Sequence, residues 1–207
     1  MTNKESSRKK IKGEKTKQKL FDSAVMLFKQ YDFRDVTVDR IVEIAGVAKG
    51  TFYIYFESKD ALIATYISNY VNMVDKDYRA FLGSFPVDTS TSQMLLGLIG
   101  KISDTLKDTI GVTSMRIVYK LLISENINKS AITGYNRDLF QMFSEVLNRG
   151  IEHGEFRSQL SVDELARHFV MSIRGLCYEW CIRYPDFDLK EQALSHFQIL
   201  LNGIQVK

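Results

Sequence analysis

TVDRIVEIAGVAKGTFYIYF, Thr37 to Phe56, is the stretch on which the fold turns. Val38, Ile41, Val42 and Ala45 fall at i, i+3, i+4 and i+7, one apolar face of a short helix. Thr37 precedes that face, where its hydroxyl can cap free N–H groups. Gly46 then interrupts the run where a left-handed backbone costs least. Lys49-Gly50-Thr51 opens a second short helix with Phe52 and Phe56 as its buried pair, leaving Tyr53 and Tyr55 outward. Two short helices joined by a glycine-containing turn describe a helix-turn-helix.

Upstream, residues 1–13 are polar, basic and aperiodic, and read as a disordered arm. From about Glu14 a helix places Leu20, Ala24, Leu27, Phe28 and Tyr31 on one side, closing a three-helix DNA-binding unit over residues 14–60. Downstream, Ser58 caps a helix expected to reach about Leu82, roughly 36 Å long. It is a rigid link into a second domain, 61–207. That domain should hold helices over about Ser92–Thr109, Ser114–Glu125 and Ser130–His153. Ser161-Val162-Asp163-Glu164 has capping-box spacing and opens a helix to about Tyr184. Asp188 starts a final helix running through Ile204. The expected class is all-α.

The pattern Thr37, Ile41, Ala45, Gly46-Val47, Gly50-Thr51-Phe52-Tyr53-x-Tyr55-Phe56 and Ser58-Lys59-Asp60-x-Leu62 resembles the TetR family of bacterial transcriptional regulators. The resemblance covers roughly residues 15 to 62; beyond them only size and helical pattern agree. It implies a DNA operator, a homodimer, and a C-terminal domain that binds a small-molecule effector. It further implies phosphate contacts from Thr37, Tyr53, Tyr55 and Lys59. Tyr55 stands where the family most often has His, so a phenol replaces an imidazole; each can donate one hydrogen bond. Lys49 and Thr51 suit base edges, guanine O6/N7 and the thymine methyl, though Lys49 suits a phosphate equally. Gly50 lets backbone approach the DNA.

Charge agrees with a polyanion met at one end. Residues 1–20 hold eight Lys/Arg against two acids (+6), and the remainder 20 against 23 (−3), within a net charge of +3. Two cysteines and no apolar run of membrane-spanning length fit a cytoplasmic protein. No HExxH, phosphate-binding glycine loop or nucleophile elbow is present, and His153, His168 and His196 are scattered. No enzyme, cofactor or metal is expected. Cys177 and Cys181, one turn apart, read as small buried apolar residues before a metal site or redox switch.

The helix from Val162 carries two adjacent apolar stripes. Leu165, Phe169, Ser172, Leu176 and Trp180 form one; Ala166, Val170, Ile173, Cys177 and Cys181 form the other. That is wider than one intramolecular core needs, which points to dimerisation through the last two helices. Met115, Tyr119, Phe140, Phe143, Phe169, Arg174 and Trp180 are candidates for a pocket taking a lipophilic ligand, or are plain core. Arg174 can pair a ligand anion, or a structural partner such as Glu145 or Glu179. The expected function is a repressor released from a palindromic operator by its ligand. The alternative is a sequence-specific or architectural DNA-binding protein with no small-molecule ligand, controlled by protein contacts.

Overall fold

The computed structural model describes residues 3–32, 34–123, 134–135, 137–157 and 159–206. They are mainly helical and divide into two compact units, one running to Ser68 and one beginning at Asn69. In the first, α1 (Asn3–Gln30) packs on α2 (Val38–Ala45) and α3 (Lys49–Tyr55). Leu20, Ala24, Leu27 and Phe28 of α1 are buried, as are Ile41, Val42, Ala45 and Phe52 of the two helices it packs on. Residues 3–13 are not a disordered arm but the opening turns of α1. Lys, Glu and Arg are good helix formers, and extending a nucleated helix costs far less than starting one. Tyr31, expected on the apolar side, is exposed, with the Arg40 guanidinium 3.8 Å over its ring.

α4 (Lys59–Gly83) contributes its first turns to this unit and its remainder to the second. The boundary expected at 60 therefore falls at Ser68. The cause is packing: Leu62, Ile63 and Ile67 are buried, and Tyr66 sits at 6.2 and 6.0 Å from the rings of Phe21 and Phe28.

The second unit adds α5 (Thr91–Asp104), α6 (Val112–Ile123), α7 (Asp138–Glu152), α8 (Val162–Arg183) and α9 (Leu189–Ile204). α5 lies against α9 and α7, and α8 against α7, α9 and α6. The helix expected to Thr109 is α-helical only to Asp104; Thr105–Ile110 widens into a π-helical turn. There the Ser103 and Thr105 hydroxyls bond back to the Ile99 and Lys101 carbonyls at 2.8 and 2.9 Å, competing with the regular ladder. α7 starts at Asp138 rather than Ser130, since Arg137 is extended (ψ 143°) and its N–H closes a turn on the Gly134 carbonyl. Residues 130–133 and Glu125 lie outside the described residues.

Both stripes of α8 are used within the chain. Leu165, Phe169 and Trp180 are buried, and so are Ala166, Val170, Ile173, Cys177 and Cys181. Three helices pack on α8, so its apolar width measures its own partners and says nothing of a subunit interface. The apolar residues α8 leaves outward are Met171, Tyr178 and Ile182, on a third face. The capping box stands as expected: Glu164 N–H donates to Ser161 Oγ at 3.3 Å, and Ser161 N–H to Glu164 at 2.9 Å.

Candidate nucleic-acid interface

Thr37 Oγ1 accepts from the Arg40 N–H at 3.2 Å and fixes the start of α2. Gly46 ends that helix at φ 63°, and the Val47 N–H returns to the Val42 carbonyl at 3.1 Å. A side chain at Gly46 would be strained by this backbone. The turn so fixed lays α3 on the core through Phe52 and Phe56, rings 5.6 Å apart. The opposite side of α3 is largely in solvent. Tyr53 is 52% exposed, Lys49 and Gly50 are exposed, and a Cβ on Gly50 would meet nothing within 4 Å. Among the described residues, nothing requires glycine there.

Three of the expected contact residues are also tied inward. Lys59 Nζ donates to the Val36 carbonyl at 2.9 Å, joining the start of α4 to the strand of chain before α2. The Tyr55 hydroxyl lies against α1, 3.3 Å from where a Cβ on Gly13 would sit. Lys49 Nζ meets both carboxylate oxygens of Asp39, at 2.8 and 3.0 Å. Thr37, Lys49, Gly50, Thr51 and Tyr53 lie within the two short helices and their caps. Asp39 and Arg40 join this surface without having been singled out by sequence. Helical periodicity ends at Gly46, and nothing in it links Asp39 across the turn to Lys49.

The expected pocket residues of the second unit fall into two clusters. Phe143 and Phe169 meet at a tilt, 5.9 Å between ring centres, and Phe169 meets Phe197 at 5.4 Å, in one core that also holds Phe140. Met115 and Trp180 lie in another with Cys177, Cys181 and Leu189. Tyr119 closes on the second cluster and donates its hydroxyl to the Arg174 carbonyl at 2.8 Å; burial pushes that phenol's pKa far up. Burial and then the Arg137 charge lower the Arg174 pKa. The acids considered as its partners are engaged elsewhere, Glu145 with Arg79 at 2.9 Å and Glu179 with Arg183 at 3.6 Å. Arg137 is itself paired at 2.6 Å with Asp75, whose side chain is 4% exposed. A hollow of about 400 Å³ opens between α6 and α8, lined by Arg116, Tyr119, Lys120, Tyr178 and Ile182 among others. Of the expected pocket residues it includes Tyr119 alone.

Residues 20–66, covering the helix-turn-helix just described, match the family of bacterial regulatory proteins called tetR. These residues form a TetR-type DNA-binding domain. The HTH-type transcriptional repressor KstR2 of Rhodococcus jostii strain RHA1 is 23% identical over 185 residues, 89% of each chain. The fatty acid metabolism regulator protein of Bacillus subtilis strain 168 is 26% identical over 195 residues, 91% of this chain and 95% of that one. The structure of Thermus thermophilus FadR, a TetR-family repressor in complex with lauroyl-CoA, superposes with a TM-score of 0.71. It shares 22% identity over 92% of this chain and 96% of its own, a likeness of fold.

In helix-turn-helix domains the second helix enters the major groove and the first crosses the backbone, and α3 and α2 hold those two places in this domain. Among the described residues, no helix is long and apolar enough to cross a membrane, and no group of three His, Cys, Asp or Glu side chains is placed to hold a metal ion. Both cysteines are buried, and Cys177 is pushed up by its hydrogen bond to Cys181 and by burial.

Proposed function

We propose that this chain is a TetR-family operator-binding repressor whose second unit takes a lipophilic acyl ligand, and that ligand binding releases it from DNA. The observation that carries the DNA half is the α3 face: Lys49, Gly50 and Tyr53 stand outward while Phe52 and Phe56 anchor the helix. Thr37, Tyr53, Tyr55 and Lys59 serve phosphates in this reading, and Lys49 and Thr51 serve bases. The ligand half is supported by the hollow of about 400 Å³ between α6 and α8, which Tyr119 lines beside the Met115–Trp180 apolar cluster. Arg174, half-buried beside Tyr119, suits an anionic group on such a ligand. The lauroyl-CoA held by the Thermus relative is the guide to ligand class.

The regulator acts as a two-fold dimer through α8 and α9, which matches two α3 helices to a palindrome. Met171, Tyr178 and Ile182 on α8 and Ile199 on α9 support this, all exposed and apolar. Gly175 lies inside α8, where glycine costs about 1 kcal/mol relative to alanine, and Gly203 lies in the last turn of α9. No neighbour lies within 4 Å of a Cβ at either position, so the room serves a partner helix.

Genomic fragments selected by the purified protein at moderate salt should yield one footprinted palindrome. Lauroyl-CoA should lower affinity for that site, and coenzyme A alone should not. Ligand acts only through its difference in affinity for the two states. Unchanged operator affinity at saturating acyl-CoA defeats the ligand half. Random fragments with steep salt dependence defeat the operator half.

A further inference from the structure

The Lys49–Asp39 pair joins the first residue of α3 to the first turn of α2, across the Gly46 turn. Both side chains are largely in solvent, at 54% and 69% exposure, so the pair adds little to stability. Asp39 is also an anion on a face turned toward a polyanion, where it opposes binding. Its place in the first turn of α2 favours an acid modestly, and its grip on Lys49 gives it a second role.

We propose that Asp39 is a specificity-determining residue, which neutralises Lys49 toward phosphates and aims its remaining donors at a base edge. This rests on Lys49 facing the groove. A Lys ammonium has three donors. With both Asp39 oxygens at 2.8 and 3.0 Å, the ammonium is bound on one side and can still donate to guanine O6 and N7 on the other. A free Lys49 would be a flexible cation that any phosphate satisfies, whatever the sequence. Held by Asp39, it gains little from a phosphate, because leaving the carboxylate strands that charge beside the DNA backbone. At a guanine it keeps its partner and adds directional hydrogen bonds. The hydrogen bond and charge of Asp39 hold Lys49 more firmly protonated, in accord with this geometry.

The test uses the full chain and a random duplex pool, with wild type, Asp39→Asn, Lys49→Met and the double variant. Selected sequences are read out, and affinity for the unselected pool is measured against salt. Asp39→Asn should bind the unselected pool about tenfold more tightly, with a log–log salt slope steeper by about 0.9, one more phosphate contact. Its guanine preference within each half-site should weaken. In the Lys49→Met background, Asp39→Asn should no longer change sequence preference. If Lys49→Met abolishes a guanine preference that Asp39→Asn leaves intact, Asp39 has no such role and the Lys49 assignment stands. If Lys49→Met alters neither preference nor affinity, the assignment of Lys49 to the groove fails, and the role of Asp39 with it. Both positions are exposed, so thermal melts should agree among the four proteins.

Discussion

Tyr53 shows how one residue divides between fold and function. Its ring rests edge-on to Phe52 at 5.3 Å, so packing orients the side chain, while half its surface stays in water. Removing only the hydroxyl keeps that packing. Tyr53→Phe should therefore weaken operator and unrelated DNA alike by roughly threefold to tenfold, the worth of one hydrogen bond of about 1 kcal/mol. Anisotropy titrations on both DNAs check this. A loss confined to the operator would make Tyr53 a base reader instead of a phosphate contact. Lys59 and Tyr55 are different cases. Each is also held inward, by the Val36 carbonyl and by α1 at Gly13. Their positions in the sequence motif were visible; these second attachments were not, because each joins residues far apart in the chain.

At the scale of elements, close approach decides more than propensity. A Cβ on Gly150 of α7 would collide with the ring of Phe156, which is itself buried. The ring has little freedom, since Arg157 N–H bonds the Ile204 carbonyl at 2.8 Å and Val206 N–H the Glu155 carbonyl at 3.0 Å. Gly150→Ala should gain up to about 1 kcal/mol of helix propensity and lose about 1–3 kcal/mol to overpacking. A lowered melting temperature is the expected result, and a raised one would show that Phe156 can move aside. Asp188 shows the electrostatic side. Its carboxylate accepts from the Lys190 and Glu191 N–H groups at 2.9 and 3.0 Å, and Lys107 pairs with it at 3.0 Å. The Glu191 N–H, then Lys107, hold its pKa below the usual carboxylate value. For a depressed pKa the stability is present above the unfolded value of about 3.9 and disappears as pH falls through the lower folded value. The margin of wild type over Asp188→Asn in thermal melts should hold from neutral pH to about pH 5 and close in more acid solution. A margin independent of pH would assign the effect to capping geometry and not to charge.

For the whole molecule, the dimer makes the clearest demand. Ile199 is 67% exposed on α9, so an acid there costs the single chain little. Ile199→Asp should leave the helical circular-dichroism spectrum of the chain close to wild type while sedimentation shifts toward monomer and the melting temperature falls with the lost partner. Operator affinity should fall by at least tenfold, because one α3 reads only half a palindrome. A variant that stays dimeric would move the interface off this face of α9.

The sequence by itself determined the helix-turn-helix. Thr37, the apolar run Val38–Ala45, Gly46 and the Phe52/Phe56 pair act within a few residues of one another, and local interactions are what a linear reading captures. For the same reason it located the caps at Ser58, Ser161 and Asp188. Only the tertiary structure decided which apolar face is a core. The two stripes of α8 look identical in kind to an interface until α6, α7 and α9 are placed against them. It also decided the polar pairings that cross the fold, Asp39 with Lys49 and Asp75 with Arg137. Periodicity records how a helix meets its surroundings, not what those surroundings are, and a charge finds its partner only after the chain has folded.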